Sequence, residues 1–167
     1  MKPFVRVRYL VPVAASVLLA LVPAAAQARV ALVATGTPEL ALLDVSSDTV
    51  VQRIALPAPS GAVAVTSDGK RGFVAAGATI VVLDVNERTE VTRDTRGSEP
   101  VSGLVVSPDG RRLYAVQGQR LRILRAGTLQ LIASVQLRGR GSTLALGRGG
   151  RLAAVVLDRG RVAIVDP

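Results

Sequence analysis

Residues 111–167 carry eleven arginines against two acidic side chains, Asp158 and Asp166, a net charge of +9. A guanidinium is a planar fork of donors that matches carboxylate, phosphate and sulfate groups. The chemistry such a segment offers is the capture of anions. Bond-making chemistry has less to work with. The chain has no His and no Cys. That removes the usual general base near neutral pH, the Ser-His-Asp arrangement, thiol nucleophiles, disulfides and the commonest metal ligands. We assign no catalytic or metal-binding residue and no cofactor from the sequence. Residues 29–110 carry seven basic and ten acidic side chains, net −3, so the positive charge belongs to the second half. A basic half points to anionic partners. Solvated strand faces and turns in an arginine-preferring composition account for the same residues, and Lys70 is the only lysine after residue 28. Nucleic acid is not expected, because Phe73 and Tyr114 fall within strands and leave no aromatic platform for stacking bases.

Residues 1–28 have the form of a secretory signal peptide. Lys2, Arg6 and Arg8 make a basic start, Tyr9 to Val22 is an apolar run shorter than the ~20 residues of a bilayer span, and Ala26 and Ala28 take the small positions of an Ala-x-Ala cleavage site. This predicts a mature domain over 29–167, periplasmic or secreted, with no stable membrane span once the signal is removed.

The elements that must position the arginines repeat. "AVTSDGKRGFVA" at 64–75 and "VVSPDGRRLYAV" at 105–116 align without a gap at an offset of 41. "LLDV", "VLDV", "ILRA" and "IVDP" end at Val45, Val85, Ala126 and Pro167, spaced 40, 41 and 41 apart. Within one period the pattern is β. An aliphatic strand runs into an Asp-Gly turn, where Asp caps its own backbone and Gly takes positive φ. A second strand, a tight reversal, and two further alternating strands follow. Strands are expected at 30–35, 39–45 and 49–56; at 61–67, 72–76, 79–85 and 89–95; at 101–107, 112–117, 120–126 and 129–137; and at 142–147, 151–157 and 161–166. Four short antiparallel strands every ~40 residues predict an all-β fold of β-propeller blades. Fourteen strands make about three and a half blades. The first blade lacks its innermost strand and the last its outermost.

In a propeller, the connections from strand four to strand one and from strand two to strand three open on one face, around the mouth of the channel. That face is expected to carry Arg96, Arg120, Arg138, Arg140 and Arg159, which form the candidate anion-binding set, together with Glu99, Gln119 and Arg161. The opposite face is expected to carry Lys70, Arg71, Arg111, Arg112 and Arg148. Asp68 and Asp109 are read as turn caps. Asp44, Asp84 and Asp166 are read as structural residues closing the third strand of their blades.

"GAVAVTSDGKRGFVAAGATIVVLDV" and "VSGLVVSPDGRRLYAVQGQRLRIL" resemble the YVTN-type β-propeller repeat, whose pattern is an apolar strand, Ser-Pro-Asp-Gly, a basic residue, Leu-Tyr-Val, a tight turn and a strand ending in Ile-Asp. The resemblance spans 30–167. It is specific in the second and third repeats and weak in the fourth, where "RGG" replaces "PDG". It implies an exported propeller related in shape to surface-layer and lactonase-like propellers of about seven blades, most of which bind or scaffold. No lactonase-type acidic metal constellation is present to carry over.

Two functions are therefore expected to compete. One is a non-catalytic exported module that binds or scaffolds a protein or an anionic envelope component. The other is a fragment of a lactonase-like or quinoprotein-like enzyme whose catalytic residues lie on missing blades. An open arc exposes apolar blade faces and strand edges. Three outcomes follow: a piece of a longer gene product, assembly with another copy or chain that completes the propeller, or a small four-blade ring sharing strands between its ends.

Overall fold

The computed structural model describes residues 30–150 and 152–166; the signal-peptide reading lies outside them. Among the described residues, fourteen strands form four antiparallel sheets in chain order. The first holds β1 (Val30–Ala34), β2 (Glu39–Asp44) and β3 (Thr49–Ala55). The second holds β4 (Ser60–Val65), β5 (Arg71–Ala76), β6 (Thr79–Asp84) and β7 (Thr89–Asp94). The third holds β8 (Val101–Val106), β9 (Arg112–Gln117), β10 (Arg120–Arg125) and β11 (Leu131–Gln136), and the fourth β12 (Gly141–Leu146), β13 (Ala153–Leu157) and β14 (Val162–Val165). Every strand pairs with its neighbour in sequence, so each sheet is a meander. The fold is a partial propeller of four blades.

The repeated turn explains why the motif recurs. In the third sheet the Ser107 hydroxyl donates to Asp109 Oδ1 at 2.5 Å and accepts from the Arg112 amide at 2.9 Å. Asp109 Oδ1 also accepts from the Arg111 amide at 3.1 Å, and Gly110 takes φ 69°. The second sheet repeats this with Thr66, Asp68, the Lys70 and Arg71 amides, and Gly69 at φ 71°. The Ser107 and Thr66 hydroxyls, then the Arg111 and Lys70 amides, hold the Asp109 and Asp68 carboxyls below their ordinary range. Both aspartates cap turns. The fourth sheet lacks the aspartate and turns on Gly149 and Gly150, both at positive φ.

Each blade is apolar on both faces, and three clusters between successive sheets form the core. Leu40, Leu42, Val74, Ala76, Val81 and Leu83 join the first sheet to the second. Phe73, Ile80, Val82, Leu113, Ala115 and Leu124 join the second to the third. Tyr114, Val116, Leu121, Ile123, Val155 and Ala153 join the third to the fourth. No core cluster among the described residues joins the fourth sheet to the first. Alternation along a strand sends successive side chains to opposite faces, so each blade has an incoming face toward the preceding sheet and an outgoing face toward the next. Phe73 and Tyr114 occupy the same outgoing position, 41 residues apart.

The Tyr114 hydroxyl is buried and finds no hydrogen-bond partner among the described residues, whereas Phe73 fills the equivalent place with no hydroxyl to satisfy. An unsatisfied buried hydroxyl costs about 1–3 kcal/mol. Tyr114→Phe is expected to keep the fold and raise stability by roughly 1 kcal/mol, read as a higher urea midpoint with an unchanged m-value.

Candidate functional site

The five candidate arginines fall on the edge where β7 meets β8, β9 turns to β10, β11 meets β12 and β13 turns to β14. Backbone hydrogen bonds bind these connections together: Leu137 N to Gln119 O, Gly141 N to Gly118 O and Asp158 N to Arg140 O, each 2.8 Å. Glu99, Gln117, Gln119, Arg120, Gln136 and Arg140 line one open cleft there, of about 240 Å³. Arg120 and Arg140 share this cleft. Arg96, Arg138 and Arg159 lie outside its lining.

Their charges are unevenly free. Arg140 Nη2 donates to Glu99 Oε2 at 2.9 Å, and both side chains are exposed. Such a pair contributes little to stability, but it neutralises the one arginine that Arg120 would join. Glu99 lies against Gly118, where any β-carbon would collide with its carboxylate. Arg96 donates through Nε to Asp94 Oδ1 at 2.8 Å and through Nη2 to the Leu129 carbonyl at 3.0 Å. Arg161 pairs with Asp158 at 2.9 Å. Arg120, Arg138 and Arg159 are exposed and have no ion-pair partner among the described residues. They stand on three different elements and do not share one cleft.

Beneath this edge lies a polar network that the sequence analysis does not single out. Arg122 Nη2 donates to Asp94 Oδ2 at 2.7 Å, and Arg122 Nη1 to Gln117 Oε1 at 3.1 Å. Gln117 Nε2 donates to the Ala78 and Glu99 carbonyls. The Asp94 side chain is 0% exposed and that of Arg122 11%. Burial works to raise the Asp94 carboxyl, but the hydrogen bonds from Arg96 and Arg122 outweigh it and hold it below the usual carboxylate range. Repeat register shows how unusual the pair is. Asp94 faces Ile80 across its ladder as Ile54 faces Leu40 and Val135 faces Leu121. Arg122 occupies the β10 position equivalent to Val81 in β6 and Ala163 in β14. Ile54 and Val81 lie in the first interface cluster, and Val135 and Ala163 in the third. The middle interface has a buried ion pair where the flanking two are apolar. The signal was available: in "RLRIL" an arginine takes an inward position that the other repeats fill with aliphatics.

These features define a class, the partial β-propeller. No family model matches the sequence, and no curated protein matches it. Among solved structures, the chain is similar to Kuenenia stuttgartiensis Hydrazine Synthase, with a TM-score of 0.72 and 20% identity over 77% of this chain and 40% of that one. The likeness shows the fold alone. This chain spans about 40% of the length of that neighbour.

Removing one partner of a buried pair leaves an uncompensated charge, whereas an apolar replacement of both is often tolerated. Asp94→Ala is expected to destabilise by about 3–5 kcal/mol, and Asp94→Ile with Arg122→Val, the residues of the first interface, by far less. The folded-state pKa of Asp94 is depressed, so its contribution is present above the ordinary carboxylate pKa of about 4 and is lost as pH falls through the folded value. Urea midpoints of the native chain and the double variant, measured from neutral to acid pH, are expected to converge as pH falls.

Proposed function

We propose that this chain is an exported, non-catalytic YVTN-type propeller module that works by binding protein, and that the partner surface is another blade face supplied by a second copy of the chain. The observation that carries this reading is the outgoing face of the fourth sheet. Ladder register makes Val156, Val162 and Ile164 equivalent to Val116, Leu121 and Ile123. The latter three are 0, 0 and 3% exposed beneath the fourth sheet, and the former are 39, 57 and 65% exposed. The chain also carries the complement. Incoming faces cover outgoing faces three times within it, and the incoming face of its own first sheet, Val33 and Leu43, has no sheet before it among the described residues. Val33 is 41% exposed and corresponds to Val74, which is buried against the first sheet. The contact is heterologous, outgoing to incoming, and propagates until the arc closes. The composition of residues 1–28 supports a periplasmic or secreted location. No observation among the described residues favours the enzyme alternative.

Light scattering on size-exclusion fractions of residues 29–167 tests this. A discrete oligomer is expected. Ile164→Asp and Val33→Asp should each yield a monomer with unchanged far-UV dichroism, and mixing the two variants should restore a dimer, since each retains the face the other has lost. A native chain that runs as a monomer, or a Val33→Asp variant that assembles like the native chain, overturns the proposal.

A further inference from the structure

The rim opposite the mouth is where β4 turns to β5, β8 to β9 and β10 to β11. Arg71, Arg111, Arg112 and Arg125 converge there on one cleft of about 590 Å³ that Gly127 and Ile132 complete. All four arginines are exposed, and none has an ion-pair partner among the described residues. Asp68 and Asp109 both line the adjoining hollow that Arg71 borders. Asp109 is already committed to Ser107 and the Arg111 amide within its turn. Asp68 is committed likewise to Thr66 and the Lys70 amide.

The repeats supply the reference against which this cleft stands out. The third strand of a blade ends in Asp44 in the first sheet, Asp84 in the second and, one residue beyond β14, Asp166 in the fourth. In the third sheet the same place is taken by Arg125. In the second sheet the ladder sets Arg71 opposite Asp84, an attractive pair of charges. In the third it sets Arg112 opposite Arg125, and like charges directly opposed across a ladder are destabilising. The turn does not need arginine. Asp84 caps its turn by accepting from the Asn86 and Glu87 amides at 2.9 Å. The turn after Arg125 is closed without a carboxylate cap, by Leu129 N to Arg125 O at 2.8 Å and Gln130 N to Thr128 Oγ1 at 3.4 Å. One exchange thus removes a carboxylate, adds a guanidinium and leaves four positive charges facing a space much larger than one inorganic ion.

We propose that this cleft is a binding site for a ligand bearing two or more phosphate groups. Four guanidinium forks suit several tetrahedral oxyanions held side by side, and the half-exposed Ile132 gives an apolar wall for whatever joins or flanks them. The proposal is independent of the assembly described above, because the cleft lies between the second and third sheets, away from both end faces. The same chemistry is offered by a free oligophosphate and by a lipid headgroup with paired phosphates.

Calorimetric titration with inorganic tripolyphosphate reads the site, and flotation with phosphatidylcholine vesicles, with and without cardiolipin, separates the sources. Arg125→Asp, which restores the residue type of the other three blades, is the decisive variant. It is expected to weaken tripolyphosphate binding by more than about tenfold, as loss of charge-assisted hydrogen bonds to an oxyanion does, while the thermal midpoint stays level or rises. Arg138→Ala with Arg140→Ala, on the mouth, should change binding by less than about twofold, because no contact to the ligand is removed there. Flotation only with cardiolipin, lost in Arg125→Asp, assigns the headgroup; tripolyphosphate binding without flotation assigns the free anion. Absence of both at low ionic strength overturns the proposal, as does an equal loss in the mouth variant, which would mark unspecific attraction to a basic chain.

Discussion

A blade is a thin, twisted sheet with two apolar faces and no means of burying either by itself. The packing of one sheet's outgoing face on the next sheet's incoming face is therefore the contact on which everything else rests. Burial of apolar area drives it, at roughly 25 cal/mol per Å², and small aliphatics allow sheets to approach to about 10 Å. This is how a chain with 49% hydrophobic and only 2% aromatic residues builds a core. Turns, rim charges and clefts are all carried on edges whose spacing that contact sets.

The middle interface adds a polar condition to the apolar one. Phe73, Ile80 and Leu124 pack there as their equivalents do elsewhere, but Asp94 and Arg122 must also meet, with Gln117 bridging them to the Ala78 and Glu99 carbonyls. The two flanking interfaces are aliphatic at the equivalent positions and carry no such condition. A buried pair that is satisfied in one registry alone penalises the others. The network also runs from the sheet interior to the connection that bears Glu99 and, through it, Arg140. The cleft of Arg71, Arg111, Arg112 and Arg125 is carried on the second and third sheets, whereas the mouth edge extends to Arg159 on the fourth.

Legibility in the sequence followed the range of the forces. The Ser/Thr-x-Asp-Gly turn is local, closed within about five residues, and its duplication at 64–75 and 105–116 fixed the period and the fold class. Strand ends are legible to within two residues, and backbone conformation explains two of the largest differences. β11 begins at Leu131 and not at 129, because Leu129 sits at φ 55° inside the turn; β13 begins at Ala153 and not at 151, beyond the Gly149–Gly150 reversal. Pairing of charges was not legible. Asp94 and Arg122 are 28 residues apart and Glu99 and Arg140 are 41 apart, and nothing local announces either contact. Topology assigns the mouth arginines to one edge, yet it says nothing of which carboxylates will occupy them. On the opposite rim the departure of "ILRA" from its three sister segments was visible as a string, and it acquired meaning once the ladder set Arg112 against Arg125.

Stacking in series also grades the molecule from its centre outward. Among the described residues, the second and third sheets are clamped on both sides, whereas the first and fourth are held on one, and each core cluster joins adjacent repeats. Free energy in such an array is close to a sum of repeat and neighbour terms, so opening is cheapest at the two ends and dearest in the middle. Local opening of the first and fourth sheets therefore precedes that of β5, β6, β9 and β10.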